Sequence, residues 1–251
     1  MKIDFNRLIK VIVKNFAKIH LNYFLLFLKN NKKNGKRIKI NDIFIVTSCV
    51  NTNESSSYFN HNIEHTSELR LAETITGLES IRRFYPKAYI IFIESSKLSN
   101  SQGNLVTKYI DKLYDYCESK NIKLARRHYN KGVPQFTALI KFIEENGHNY
   151  DAKTFHFLGA RYILTGNVAD EYTNLGSYFL YFDKANNVST RYFFVKGVDL
   201  YKLIKPFRRT LYFSIFGNSV EDIIHGYMPN INIVNRLMVS GIVNGVEKIE
   251  E

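Results

Sequence analysis

Two uninterrupted apolar runs, Ile43-Phe44-Ile45-Val46 and Tyr89-Ile90-Ile91-Phe92-Ile93, constrain this chain more than any other feature. A strand that is apolar at every position is buried on both faces, as in a largely parallel sheet covered by helices on each side. Each run stops at polar residues. Thr47-Ser48-Cys49-Val50-Asn51 follows the first and Glu94-Ser95-Ser96 the second. Between them Leu71, Ile75, Leu78 and Ile81 mark the buried stripe of a crossover helix. Thr66 or Ser67 caps its start, Glu68 favours its first turn, and Pro86 stops it. Polar groups at the carboxyl ends of such strands lie where open α/β sheets bind ligands. These residues predict an α/β domain of the nucleotide-binding type, without the glycine fingerprint of a dinucleotide site.

The chain has 251 residues, 45% of them hydrophobic, which suits one large domain with a full core. Cys49 and Cys117 lie far apart and form no CxxC, so the chain reads as a protein of a reducing compartment. The N-terminus shows no compact apolar core followed by a cleavage site, so no secretory signal is expected. Charge divides the chain sharply. Residues 1–39 hold eleven Lys/Arg against a single acid, Asp4, whereas the remainder holds 24 bases and 22 acids. Of the net +12, therefore, +10 belongs to the arm and the body is almost neutral. Phe5, Leu8, Ile9, Ile12, Phe16, Ile19 and Tyr23 recur at helical spacing, with Arg7, Lys10, Lys14 and Lys18 on another face. Lys14, Lys18 and His20 interrupt the pattern too often for a bilayer span. A basic amphipathic helix rich in aromatics suits an anionic membrane surface; packing on the domain core is the competing reading. Residues 1–39 are thus read as a basic helical arm and linker, and 40–251 as the α/β domain.

Beyond Ile93 the pattern predicts a helix near Asn104–Ser119 and a short third strand at Ile122–Ala125. A helix over Pro134–Asn146 and a strand over Thr154–Leu158 come next. Tyr178–Phe182 and Thr190–Val195 read as an antiparallel pair. Short helices follow at Asp199–Ile204 and Val220–Tyr227, with one or two closing strands in Ile231–Val246.

Several groups bear on chemistry. His61-Asn62-Ile63-Glu64-His65 matches the H-x-x-E-H peptidase pattern but lies in a Ser/Asn-rich stretch, not within a helix, and no metal ligand is assigned there. No Asp-x-Asp occurs, so Mg²⁺ or Mn²⁺ on a diphosphate and a metal-independent mechanism both stay open. Without a metal, cations must neutralise a departing diphosphate, and Lys131, Arg161 and Arg191 are the candidates. Arg161 ranks first because it ends an apolar strand in a Gly-containing turn. Lys131-Gly132 opens a helix whose amides can hold phosphate. Glu221 and His225, four apart on a helix, can supply a general base.

The series Thr47-Ser48-Cys49-Val50-Asn51, Glu68-Leu69-Arg70 with Thr74, Ser80-Ile81-Arg82 and Pro86, Ile93-Glu94-Ser95-Ser96, Asn130-Lys131-Gly132 and Phe157-Leu158-Gly159-Ala160-Arg161-Tyr162-Ile163-Leu164 resembles a family of bacterial and giant-virus glycosyltransferases of surface-polysaccharide clusters. In that family the last block usually reads Lys-hydrophobic-Ser-Gly-Arg-Tyr. His156 stands here at the Lys position, and the block is shifted to Gly-Ala-Arg-Tyr. The resemblance spans roughly Asp42 to Gly226. It implies a GT-A-like, mostly parallel sheet flanked by helices, a nucleotide-sugar donor, and a glycan or lipid-linked glycan acceptor. By analogy with that fold, Thr47, Ser48, Asn51, Glu94 and Ser95 would face the nucleotide, and Arg161 and Tyr162 would line the donor crevice. The expectation is a cytoplasmic enzyme held peripherally on the inner face of a membrane and binding no nucleic acid. The alternative is a non-catalytic nucleotide- or partner-binding protein on the same scaffold.

Overall fold

The computed structural model describes residues 37–51, 66–128, 130, 132–168, 172, 177–182, 187–215, 218–228, 231–234, 237–243 and 247–250. They belong to one compact unit, Asn34–Glu251. Residues 1–36, where the basic helical arm is expected, His61–His65, Lys131, Asp170 and Glu171 lie outside the described residues. β1 (Ile38–Ser48) leads through α1 (Ser67–Phe84) to β2 (Tyr89–Glu94). Next come α2 (Asn100–Thr107), β3 (Lys112–Asp115), α3 (Lys120–Arg126), α4 (Gly132–Asn146) and β4 (Tyr150–Gly159). The rest comprises β5 (Ile163–Leu164), β6 (Ser177–Phe182), β7 (Asn187–Lys196), a 3₁₀ segment (Gly197–Leu203), α5 (Ile204–Ser214), α6 (Val220–Tyr227), β8 (Ile231–Val234), β9 (Val239–Val243) and β10 (Glu247–Glu250).

The main sheet has seven strands in the order β3-β2-β1-β4-β7-β6-β8. Its pairs are parallel except where β7 meets β4 and β6. This is the expected mixed, mostly parallel sheet flanked by helices. The pair expected around Tyr178 and Thr190 is β6 against β7. β5, β9 and β10 form a small second sheet. The chain builds outward from β1 through β2 to β3, then returns to place β4 on the other side of β1. The order therefore reverses between β1 and β4.

Both faces of the sheet are covered, as the continuous apolar runs require. Phe44, Val46, Phe92, Leu158 and Phe194 point toward α1 and α2, sharing a core with Leu78, Ile81 and Val106. On the opposite face Phe157 stacks on Phe193 at 4.6 Å, and Phe207 of α5 meets Phe136 of α4 edge-on at 4.8 Å. Thr66 caps α1 by accepting the Leu69 amide at 3.2 Å. Ser99 and Gln102 form a reciprocal capping box at α2.

Two expectations fail locally. The helix expected over Asn104–Ser119 begins at Asn100, because the capping box starts it, and ends at Thr107. The chain beyond becomes edge strand β3, anchored by Asp111, which accepts the Ile90 amide at 2.7 Å and pairs with Arg82 at 2.7 Å. The segment Ile122–Ala125, expected as a strand, is helix α3. Its buried residues Ile122, Ala125 and Arg126 are three and four apart, which is helical spacing.

A polar chain crosses the first core. His156 is fully buried, its ring stacked 4.3 Å from Phe44. Its Nε2 lies 3.3 Å from Asp42 Oδ1 and its Nδ1 2.8 Å from the Tyr192 hydroxyl. Tyr192 is in turn bonded to Tyr85, whose hydroxyl accepts the Val168 amide at 3.1 Å. With Nε2–H donating to Asp42, Nδ1 accepts from Tyr192, so one neutral tautomer satisfies both partners.

Gly77 brings α1 against the turn after β4. A Cβ there would lie 2.8 Å from both the Ala160 and the Tyr162 carbonyl oxygens. Backbone atoms cannot swing aside, so Gly77→Ala is expected to cost about 1–3 kcal/mol despite its higher helix propensity. A denaturant titration giving unchanged or increased stability contradicts this close approach.

Candidate functional site

The strand order reverses between β1 and β4, and the carboxyl ends of strands at such a switch point are where open α/β sheets form a ligand crevice. Thr47 there pairs with Gly159 across the ladder, and Ser48 with Glu94. The chain ends are knitted together. The Ser95 amide and hydroxyl both donate to the Ser48 carbonyl, at 3.1 and 2.7 Å. The Ala160 amide donates to the Thr47 carbonyl at 3.0 Å. Asn51 is fixed as well: its amide donates to the Ser96 hydroxyl, and its side chain bonds the Lys97 carbonyl and Gln102.

Glu94 lies at the centre of this knot, only 1% exposed. One carboxylate oxygen accepts the Ser96 amide at 2.7 Å, the Ser96 hydroxyl at 2.6 Å and the Val50 amide at 3.3 Å. Its second oxygen is buried and accepts no hydrogen bond from the described residues. Burial pushes the Glu94 carboxyl up, against the pull of the Ser96, Ser48 and Val50 donors. Burial and the neighbouring Glu94 likewise push the Cys49 thiol up, so Cys49 is a poor nucleophile at neutral pH.

Three guanidinium groups surround the knot. Arg126, 5% exposed on α3, donates to the Ser95 carbonyl at 3.0 Å. Arg70, in the first turns of α1, donates to the Cys49 carbonyl at 3.3 Å, while its buried Nε finds no acceptor among the described residues. Arg161 stands in the turn closed by the Tyr162 amide on the Gly159 carbonyl, at 3.0 Å. Burial and the nearby charge of Arg161 both lower the proton affinity of Arg70, with Cys49, Glu73 and Glu94 acting in the opposite sense. Arg161 is thus near enough for its charge to be felt at Arg70, and two such like charges suit an anion.

Of the residues expected at the site, Thr47, Ser48, Asn51, Glu94, Ser95, Arg161 and Tyr162 come together here. Arg191 belongs to the same end of the sheet, because β7 is reversed and Tyr192 pairs with Leu158. Glu221 ties α6 to β7: its carboxylate accepts the Thr190 hydroxyl at 2.8 Å and the Ser219 hydroxyl at 2.9 Å. The side chain of His225 and all of Lys131 lie outside the described residues. The Gly132 amide is taken by the Asn130 side chain at 3.0 Å, and a Cβ on Gly132 would strike Val220. That glycine admits α6 rather than opening space for a ligand. Arg126 and Arg70 were not among the expected site residues. Arg126 was hidden in a segment read as strand. Arg70 stands within the Glu68-Leu69-Arg70 block, and its position one turn into a helix that starts beside a strand end was the available signal. Among the described residues no three His, Cys, Asp or Glu side chains gather as a metal donor set, so no step is assigned to Mg²⁺ or Mn²⁺.

No protein-family model matches the sequence, and no curated protein is significantly similar to it. The solved structures similar to the chain include glycosyltransferases. Galactosyltransferase LgtC, in complex with donor and acceptor sugar analogues, has a TM-score of 0.48 at 7% identity, covering 76% of this chain and 72% of that one. Core-mannan synthase A from Aspergillus fumigatus, in a Mn/GDP form, gives 0.47 at 8% identity, with 81% and 74% covered. Mouse xyloside xylosyltransferase 1 gives 0.45 at 7% identity, with 78% and 85% covered.

Proposed function

We propose that this protein is a glycosyltransferase that takes a sugar from a nucleoside-diphosphate donor bound in the β1/β4 crevice. The observation that carries the reading is the placement of Arg70, bonded to the Cys49 carbonyl just after β1, and of Arg161, in the turn just after β4, on the two sides of the strand-order reversal beside buried Glu94. A guanidinium pair matches the charge of a diphosphate and can bind it through parallel hydrogen bonds. The same contacts strengthen as the diphosphate departs and gathers charge, which lowers the barrier to displacement at the anomeric carbon. The residues that resemble the surface-polysaccharide glycosyltransferases surround this crevice, which favours a sugar as the transferred group and a glycan or lipid-linked glycan as acceptor. Thr47, Ser48 and Asn51 are proposed to face the nucleoside, with buried Glu94 and Ser95 holding the strand ends behind them.

A panel of nucleoside diphosphates and their sugar conjugates, tested with and without Mg²⁺ or Mn²⁺, decides the matter by thermal stabilisation. A ligand present at about 100 times its Kd adds about 2.7 kcal/mol to stability, readily seen as a shift in Tm. One base is expected to stand out, and its sugar conjugates name the donor. No response to any nucleotide overturns the proposal and favours a scaffold that binds a partner instead.

A further inference from the structure

The 3₁₀ segment Gly197–Leu203 and helix α5 present a second charged surface. Lys205 and Arg209 are exposed along α5, which contains no acid, whereas Lys202 of the 3₁₀ segment is paired with Asp199 at 2.7 Å. Aromatic side chains stand among these bases. Tyr212 is 45% exposed and Phe213 38% exposed. Their rings lie 5.3 Å apart, Phe213 stacks on Tyr227 of α6 at 5.7 Å, and Arg209 lies 5.4 Å over the Tyr227 ring. Water-exposed phenyl and phenol rings in contact, flanked by bases, form an apolar patch with a cationic rim.

We propose that this face docks on an anionic lipid surface, with Tyr212 and Phe213 entering the headgroup region and Lys205 and Arg209 meeting lipid phosphates. Charge complementarity fixes the occupant. Nucleic-acid binding needs a wider phosphate-contacting surface than two or three bases on a convex helix. Amphipathic rings beside Lys and Arg are the side chains that partition to the membrane interface. Geometry adds a use. Glu221, in the first turn of α6, bonds Thr190 at the crevice end of the sheet, and Tyr227 at the last residue of that helix belongs to the patch. Six residues of helix separate them, about 9 Å. Docking by this face holds the crevice end close to the lipid plane, within reach of a lipid-anchored acceptor.

The chain contains no tryptophan, so a single introduced one reports its own surroundings. In the full-length protein, Phe213→Trp is expected to shift its emission to the blue on phosphatidylglycerol vesicles and to be quenched by brominated acyl chains. Leu105→Trp, on α2 across the sheet and 41% exposed in the native residue, is expected to show neither change. Lys205→Gln with Arg209→Gln is expected to weaken vesicle binding by roughly 30-fold. Full-length protein that binds vesicles while the Phe213→Trp signal stays unchanged overturns the proposal, because the arm then docks alone. Absence of vesicle binding overturns it too, as does a fluorescence change produced by an oligonucleotide and not by vesicles. The readout needs no donor or acceptor, so its failure is distinguishable from failure of the crevice assignment.

Discussion

Arg161→Lys is expected to reduce transfer or hydrolysis of the donor by about two to three decades while leaving Tm nearly unchanged. Lysine keeps the charge but replaces a planar fork with a single ammonium, so two parallel bonds to a diphosphate become one. Losing such a contact where charge develops costs about 2–4 kcal/mol of barrier. Stability should hardly respond, because Arg161 makes no ion pair with any described carboxylate and stands in a turn held by its backbone and by Tyr162. Removing Arg70 is a different experiment. Its bond to the Cys49 carbonyl braces the end of β1, so Arg70→Lys should lower both Tm and donor affinity. If Arg161 serves instead as a partner of Asp170 or Glu171, Arg161→Lys will lower Tm while nucleotide affinity survives. Calorimetry and titration of that one variant separate the two accounts.

Loss of the His156 side chain is expected to be among the most damaging changes to stability. His156→Ala removes a ring stacked on Phe44, leaves a cavity in the core, and strips Tyr192 of a buried partner. Large-to-small changes of this kind cost about 3–5 kcal/mol. The native residue also imposes a pH dependence. Burial holds the His156 imidazole below its usual value, despite the opposing pull of Asp42. The unfolded chain therefore takes up the proton first. Stability is full above about pH 6.5 and declines below it, by at most about 1.4 kcal/mol per pH unit, until the folded imidazole itself titrates. His128, half-buried and also held low, contributes to the same slope. His156→Gln should make that slope shallower. A variant that is less stable yet keeps the native slope between pH 7 and 5 places the titrating group elsewhere.

The parts of this fold that could be read in advance are those written in local pattern. Ile43–Val46 and Tyr89–Ile93 announced two-sided burial because every position is apolar. Thr66, Glu68 and Pro86 bounded α1 because caps and breakers act within a few residues. Arg161 was visible because it follows an apolar strand directly. What escaped depends on contacts distant in sequence. Nothing around Arg126 reveals that its guanidinium reaches the Ser95 carbonyl, 31 residues away. His156 reads as a polar interruption of β4, and only its assembly with Asp42 and Tyr192 makes it a core residue. Gly132 looked like a phosphate-loop glycine until Val220, from a helix far along the chain, was seen to fill the space beside it. Short elements were the other weak point. A seven-residue helix such as α3 offers too few turns for periodicity to outweigh the β-branched Ile122 and its apolar neighbours.

The two ends of the main sheet have a consequence for self-association. Both outermost strands, β3 and β8, are only four residues long, and β3 carries exposed Lys112 and Asp115 at its two ends. A border that short exposes few unpaired amides and carbonyls, and at β3 the charges must be stripped of water before another strand can dock. Strand addition at these two described borders of the main sheet is therefore disfavoured as long as the protein stays folded.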